Sequence, residues 1–178
     1  MRKLRFQSWI TELVDASLPP QIKRIEWEAT GVNKDAGMGD QCVGLVFESP
    51  DGGSAYLRFV YGGGPLGDNP DEPEREPVTG EPPAPVAPVE LALSGDRLRM
   101  ADLEAWITSL ILNAQHPEVR SVELFSEREQ DPRSGFSHPF GFSLKWHDGD
   151  SVIGFFQYTL ARGERRSKDT EYRIKEAV

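Results

Sequence analysis

The chain has 178 residues, of which 38% are apolar, including four Trp and nine Phe. This is enough to form the core of one domain, or of two small halves that share a core. The net charge of -9 is concentrated between Asp68 and Glu90, where seven acidic residues accompany one basic residue. The rest of the chain is nearly balanced, which argues against a DNA mimic. The basic runs near the two ends are short or diluted by acids, so we expect no nucleic-acid partner.

The single cysteine, Cys42, excludes an intramolecular disulfide and argues against a cysteine-based zinc or iron–sulfur site. The basic residues after Met1 could open a signal peptide, but no apolar run follows them. No stretch of about 18 apolar residues is present that could span a bilayer. We therefore expect a cytoplasmic protein without a cofactor and without membrane association.

Two stretches of the sequence align with each other without a gap when the chain is shifted by 97 positions. Conservative pairs such as Val14/Ile111 keep the apolar pattern in register between the two stretches. The identical pairs are Trp9/Trp106, Ile10/Ile107, Thr11/Thr108, Leu13/Leu110, Pro20/Pro117, Glu26/Glu123, Gly44/Gly141, Asp51/Asp148, Gly52/Gly149, Ser54/Ser151, Phe59/Phe156 and Tyr61/Tyr158. This pattern predicts a chain built from two copies of one unit.

Each unit is predicted to contain one amphipathic helix, one strand and one hairpin. Apolar residues at intervals of three and four predict the first helix, and Pro20 ends it. Alternation in the following strand places Ile25 and Trp27 on one face. The predicted elements of the first unit are a helix over 6–17, a strand over 22–29 and a hairpin of strands 43–48 and 55–61.

The second unit repeats this order. Its helix begins near Met100 and is ended by Pro117. The turn at Asp148-Gly149 is typical of a hairpin, because Gly adopts the positive φ that such turns need. The last strand is apolar on both faces, which predicts a place in the middle of a sheet. The predicted strands of the second unit are 119–126, 140–146 and 152–160.

The predicted fold is therefore α+β: two tandem helix–strand–strand–strand repeats with a period of 97, packed with pseudo-twofold symmetry. The antiparallel strands form one continuous sheet or two sheets face to face, with the helices on one face. The predicted domain organisation is a first repeat over 1–61, a mobile Pro/Glu-rich linker over 62–88, a second repeat over 89–161 and a charged tail over 162–178.

The linker contains eight of the fourteen prolines and few large apolar residues, so we expect it to be extended or mobile. Its simplest interpretation is a tether between the two repeats. The alternative is a recognition segment for a partner.

The loop that follows the strand 119–126 is the best candidate for a binding site. It is charged and aromatic and differs completely from its counterpart in the first repeat, and loops on rigid scaffolds often carry function. Neither a nucleophile elbow nor a calcium-loop pattern is present, so we expect no catalytic and no metal-binding residues. The predicted binding residues are Phe125, Glu127, Glu129, Arg133, Phe136 and His138.

These features favour a non-catalytic protein-binding module, such as an adaptor, an inhibitor or a toxin-neutralising immunity-type protein, that acts as a monomer or weak homo-oligomer. One alternative is an enzyme or small-ligand-binding protein with a pocket between the repeats, lined by Trp27, Phe125 or the loop 127–138. A second alternative is a structural protein that self-assembles through exposed strands.

Overall fold

The computed structural model describes residues 3–32, 43–62, 76–128 and 138–178. The helices are α1 (Lys3–Ser17) and α2 (Met100–Asn113), and a 3-10 turn covers Glu28–Thr30. The strands are β1 (Lys23–Ile25), β2 (Val43–Glu48), β3 (Ser54–Gly62), β4 (Leu93–Ser94), β5 (Arg97–Leu98), β6 (Val119–Leu124), β7 (Gly141–Trp146) and β8 (Ser151–Leu160).

Six of these strands form one continuous antiparallel sheet in the order β1-β2-β3-β8-β7-β6. The predicted α+β class with an antiparallel sheet is confirmed. So is the central position of β8, which pairs with β3 on one side and β7 on the other. The register between β3 and β8 shifts after Tyr56, which leaves Gln157 as an extra residue in β8.

The two predicted hairpins are confirmed, and their turns are built alike. Gly52 and Gly149 have φ angles of 85° and 93°, which residues with a side chain rarely adopt. In the first turn, Asp51 Oδ1 accepts a hydrogen bond from the backbone N–H of Gly53 at 2.9 Å. In the second, Asp148 Oδ1 accepts one from the N–H of Asp150, also at 2.9 Å. Each Asp side chain thus closes its own turn.

The main core lies between the sheet and the two helices, which pack on the same face. Each helix contributes a stripe of fully buried residues to one continuous apolar cluster. These residues are Phe6, Ile10, Val14, Leu103, Ile107 and Ile111. The inward-facing strand residues they meet include Leu45, Phe47, Leu57, Phe59, Phe142, Leu144, Trp146 and Phe156. In the described ranges, no helix combines the length and apolar character that crossing a membrane requires.

The first predicted strand is wrong in its length. It was expected over 22–29, but β1 ends at Ile25, and Trp27 adopts helical angles (φ -54°, ψ -46°) at the start of the 3-10 turn. The chain turns here because Trp27 reaches the other side of the sheet, where it is 1% exposed and packs with Val46 and Tyr158. Gly44 leaves room for the indole, since a Cβ on Gly44 would lie 2.5 Å from its ring.

The outer face of the sheet, defined as the side away from α1 and α2, is partly covered by the C-terminal segment. The N–H of Tyr172 donates to Gln157 O at 2.8 Å, and the Arg166 guanidinium lies over the ring of Tyr56 at 5.5 Å. The segment then turns toward β5, where the N–H of Val178 donates to Leu98 O at 2.9 Å. These contacts tie residues 166–178 to both the sheet and β5.

Candidate functional site

The structure describes three of the six predicted binding residues. Phe125 is 3% exposed and donates its N–H to Gly141 O, Glu127 is exposed, and His138 stacks on Phe155 on the outer face. The remaining three, Glu129, Arg133 and Phe136, lie outside the described residues. A binding role for this group stays a prediction.

Glu104 of α2 holds the turn after β6 in place. Its side chain is buried, and Oε1 accepts hydrogen bonds from three backbone N–H groups: Phe125 at 3.1 Å, Ser126 at 3.1 Å and Gly141 at 2.8 Å. These amides lie where the chain leaves β6 and where it enters β7. The carboxyl group therefore acts as a structural cap for both strand ends.

An aromatic group lies on the outer face beside β8. The rings of His138 and Phe155 are nearly parallel with centroids 4.4 Å apart, and the ring of Tyr172 lies 5.5 Å from His138. Burial lowers the pKa of His138, and burial together with nearby Glu171 raises the pKa of Tyr172. Tyr172 has a φ of 58°. It is 46% exposed, so part of this aromatic surface is open to solvent.

A cavity of about 350 Å³ opens on the outer face where β3 meets β8. It is lined by Ser54, Tyr56, Leu160, Glu164, Arg165 and Arg166. None of the residues predicted to line a pocket between the repeats is among them. Two arginines and a tyrosine ring give the cavity a cationic and aromatic character, although Glu164 adds a carboxylate paired with Lys175.

A segment that sequence analysis interpreted first as a tether takes a defined course in the structure. We call residues 76–90 the proline strap. The strap has no regular strand pairing, and it runs beside α2 toward β4. Leu91, which is 7% exposed, anchors its end in the main core.

The strap is attached by hydrogen bonds at every third residue. The N–H of Gly80 donates to Pro117 O at 2.9 Å, and the side-chain amide of Gln115 donates to Pro83 O at 2.8 Å. The next two bonds come from the backbone N–H groups of Val86 and Val89, which donate to Asn113 Oδ1 at 3.0 Å and Ser109 Oγ at 3.4 Å. The attachment therefore has a period of three residues.

His147 contacts the start of the strap, and His116 directly precedes Pro117, whose carbonyl accepts the hydrogen bond from Gly80. The ring of His147 contacts Gly80 so closely that a Cβ there would lie 2.5 Å from it, and His147 Nε2 is 3.2 Å from Glu81 O. His116 packs edge-on against Trp9 with ring centroids 5.0 Å apart, and burial lowers its pKa. A side chain at position 80 would therefore require the His147 ring to move.

The strap exposes apolar side chains to solvent. Three of the four large apolar residues that are exposed in the described ranges lie in it: Val78 at 48%, Val86 at 42% and Val89 at 37%. Its prolines at 82, 85 and 88 are spaced three apart, and the last two are exposed. That spacing is visible in the sequence and was the available signal for this surface. The residues that form hydrogen bonds with the strap, by contrast, are 20 to 37 positions away in the chain, and the proline spacing does not predict them.

Within the ranges that the structure describes, no group of three or more His, Cys, Asp or Glu side chains could hold a metal ion. No protein-family model matches this sequence, and neither a curated protein nor a solved structure is detectably similar to it. A functional proposal therefore depends on the geometry of the molecule itself.

Proposed function

We propose that the chain is a non-catalytic protein-binding module of the adaptor, inhibitor or toxin-neutralising type, with the proline strap as its contact segment. The observation that carries this proposal is that the strap combines fixed attachment with apolar exposure. Its backbone is bonded to residues in and just after α2 at every third position, while Val78 and Val86 remain open to solvent. A segment already held in one conformation loses little entropy on binding, so more of its contact energy appears as affinity.

The distribution of exposed apolar side chains supports this assignment. Large apolar residues open to solvent are grouped in the strap, together with five prolines. Several exposed apolar residues in one segment are a candidate interaction surface, whereas single exposed residues are ordinary.

Three buried polar side chains serve as structural links, which favours a scaffold over an enzyme. Glu104 caps two strand ends through three amides. Glu118, which is 5% exposed and directly precedes β6, forms an ion pair with Arg5 of α1. The side-chain amide of Gln157 donates to Glu171 at 2.8 Å and connects β8 to the C-terminal segment.

We also propose that the fold consists of two duplicated units related by a pseudo-twofold axis between β3 and β8. The sheet order supports this, because it reads the same from both edges when β1, β2 and β3 are matched with β6, β7 and β8. The starting residues of α1 and α2, and of β3 and β8, are each separated by 97 positions.

Equivalent contacts in the two units give further support. The fully buried helix positions Phe6, Ile10 and Val14 recur 97 residues later as Leu103, Ile107 and Ile111. Next to the first position of each stripe, Gln7 donates to Gly44 O at 3.0 Å, and its counterpart Glu104 accepts from the N–H of Gly141 at 2.8 Å.

Binding of a small ligand is a second candidate function, favoured by the cavity between β3 and β8. The cavity lies at the junction of the proposed units, and Arg165 and Tyr56 could contact an anionic, partly aromatic ligand there. Thermal denaturation with a panel of aromatic phosphates and carboxylates would test this. A stabilisation that is absent in Arg165→Ala would support the cavity as a site, and no stabilisation by any compound would remove this candidate.

Site-specific photo-crosslinking tests the main proposal. A photo-crosslinking amino acid replaces exposed Ala84 in the strap, Glu127 in the loop predicted from sequence, or exposed Asp169 in the C-terminal segment as a matched control. The proteins are irradiated in native lysate, and adducts are identified by mass spectrometry. We expect one discrete protein adduct from position 84 and none from 169. Diffuse labelling that is equal at all positions, or a discrete adduct only from 127, would contradict the assignment to the strap.

A further inference from the structure

We infer that the partner of the proline strap is a domain with an aromatic-lined groove that binds a polyproline II helix, and that Pro82, Pro85 and Pro88 form the edge it contacts. This inference rests on the proposed function, because it names the partner class for the same segment.

The attachment of the strap indicates its conformation. A polyproline II helix has three residues per turn, and the hydrogen bonds at positions 80, 83, 86 and 89 recur with that period. The prolines restrict their own φ to about -65°, and each restricts the residue before it to extended conformations. Residues 81, 82, 84 and 87 each precede a proline, so most of the segment is restricted in this way.

The same period defines the free edge. With three residues per turn, Pro82, Pro85 and Pro88 share one edge of the helix, and the hydrogen-bonded positions share another. Pro85 and Pro88 are exposed and Pro82 is half-buried, so this edge is accessible along most of its length. Two residues separate Pro82 from Pro85, and two separate Pro85 from Pro88. This is the spacing at which aromatic grooves accept successive turns of a polyproline II helix.

The charge of the strap adds a requirement on the partner. Glu76, Glu81 and Glu90 are exposed along it, and the strap carries no basic residue. A groove that accepts this segment should therefore have Lys or Arg at its rim, because complementary charge steers association and fixes orientation.

Preorganisation by α2 should make the intact protein a stronger ligand than the isolated segment. Asn113 and Gln115 each supply one hydrogen bond to the strap. Without them the strap would have to be ordered on binding, which weakens the apparent affinity.

The test uses the photo-crosslinking protein with the reactive residue at Ala84 and compares three backgrounds. Pro85→Ala with Pro88→Ala removes the proposed edge. Pro77→Ala is the matched control, because it is an exposed strap proline that lies off that edge. Asn113→Ala with Gln115→Ala removes two of the hydrogen bonds that attach the strap.

Circular dichroism and thermal denaturation verify that each variant is folded. A synthetic peptide of residues 79–91 serves as competitor, and a peptide with Ala at positions 82, 85 and 88 is its control.

We expect the yield of the adduct to fall about tenfold in the Pro85/Pro88 variant, several-fold in the Asn113/Gln115 variant and not at all with Pro77→Ala. The proline peptide should compete, and the cross-link should map to a groove lined by at least two Trp or Tyr. An adduct that persists in the Pro85/Pro88 variant, or that maps to a strand edge, would overturn this inference and leave the proposed function standing. If position 84 yields no discrete adduct at all, the proposed function fails as well.

Discussion

A single buried carboxyl group, Glu104, connects α2 to two strands. Because Oε1 accepts from three backbone N–H groups, its removal would take this acceptor from Ser126 and from buried Gly141, while the N–H of Phe125 would keep Gly141 O. We expect Glu104→Ala to reduce the free energy of unfolding by about 3 kcal/mol. Glu104→Gln keeps an acceptor oxygen and should cost about 1 kcal/mol. Urea denaturation monitored by Trp fluorescence measures both.

The control for this prediction is Asp102→Asn in the same helix. Asp102 makes only a partly exposed ion pair with Arg99 at 3.8 Å, so the change should be below about 0.5 kcal/mol. Equal losses for Glu104→Ala and Asp102→Asn would show that the three amides do not depend on Glu104.

Two histidines predict a pH dependence of stability. Burial lowers the pKa values of His116 and His138 from the usual 6.5. For His116, the negative charge of Glu118 opposes this shift, and the positive charge of Arg5 adds to it. As the pH falls below 6.5, the unfolded chain takes up protons before the folded protein does, so this stability is present above 6.5 and is lost toward the lower folded pKa. Asp51 has a lowered pKa, so its contribution to stability is lost only at pH values below about 4, which is outside the range in which the histidines titrate.

We therefore expect the free energy of unfolding to decrease between pH 7.5 and pH 5.5. The decrease should be smaller in His116→Asn. In the wild-type protein His116 Nδ1 accepts a hydrogen bond from the N–H of Glu118 at 3.3 Å, and the amide oxygen of Asn can still accept it. It should be smallest in the double variant with His138→Asn. The prediction is wrong if the double variant retains the full pH dependence, as measured by urea titrations at each pH.

At the scale of the elements, β2 depends on the absence of a side chain at Gly44. A Cβ there would lie 2.3 Å from Leu57 O and 2.5 Å from the ring of Trp27, so β3 or the indole would have to move. We expect Gly44→Ala to destabilise the protein by about 3 kcal/mol, which is the upper range for overpacking. Thermal and urea denaturation provide the measurement.

Gly95→Ala separates packing from backbone strain. Gly95 has a φ of 65°, but no neighbouring atom lies within 4 Å of the point that a Cβ would occupy, so only the backbone conformation opposes the substitution. Its cost should be about 1 kcal/mol. If Gly95→Ala proved more harmful than Gly44→Ala, the close approach of Trp27 would not be the determining contact.

At the scale of the whole molecule, one core joins the two halves of the sheet. Trp9 of α1 lies 6.3 Å from Trp146 of β7, and Trp106 of α2 lies 6.3 Å from Phe47 of β2, so each helix contacts a strand from the opposite half. In the centre, Leu57 of β3 is paired with Phe156 of β8. The halves should therefore unfold together.

Phe156→Ala tests this coupling. It should destabilise the protein by about 4 kcal/mol while keeping a single unfolding transition, since Phe156 is completely buried at the seam. Hydrogen exchange should accelerate equally in β2 and β7. Ile153→Ala, on the half-exposed outer face, should cost about 1 kcal/mol. Faster exchange in β7 with unchanged protection in β2 would mean that the halves unfold separately.

The parts of this protein that depend on neighbouring residues follow from local sequence patterns. Apolar spacing located α1 and α2, and Asp-Gly pairs located both hairpins, because helix periodicity and positive φ are local properties. The apolar character of both faces of β8 also identified a central strand. These features require no knowledge of what the chain packs against.

The remaining features depend on contacts between residues that are far apart in the chain. Whether the strands form one sheet or two depends on the pairing of β3 with β8, whose residues are about a hundred positions apart. The end of β1 depends on the space that Gly44 leaves for Trp27. The course of the proline strap depends on hydrogen bonds from residues such as Asn113 and Gln115, which its own composition does not encode. In each case the deciding contact joins distant parts of the chain, so local sequence patterns carry no information about it.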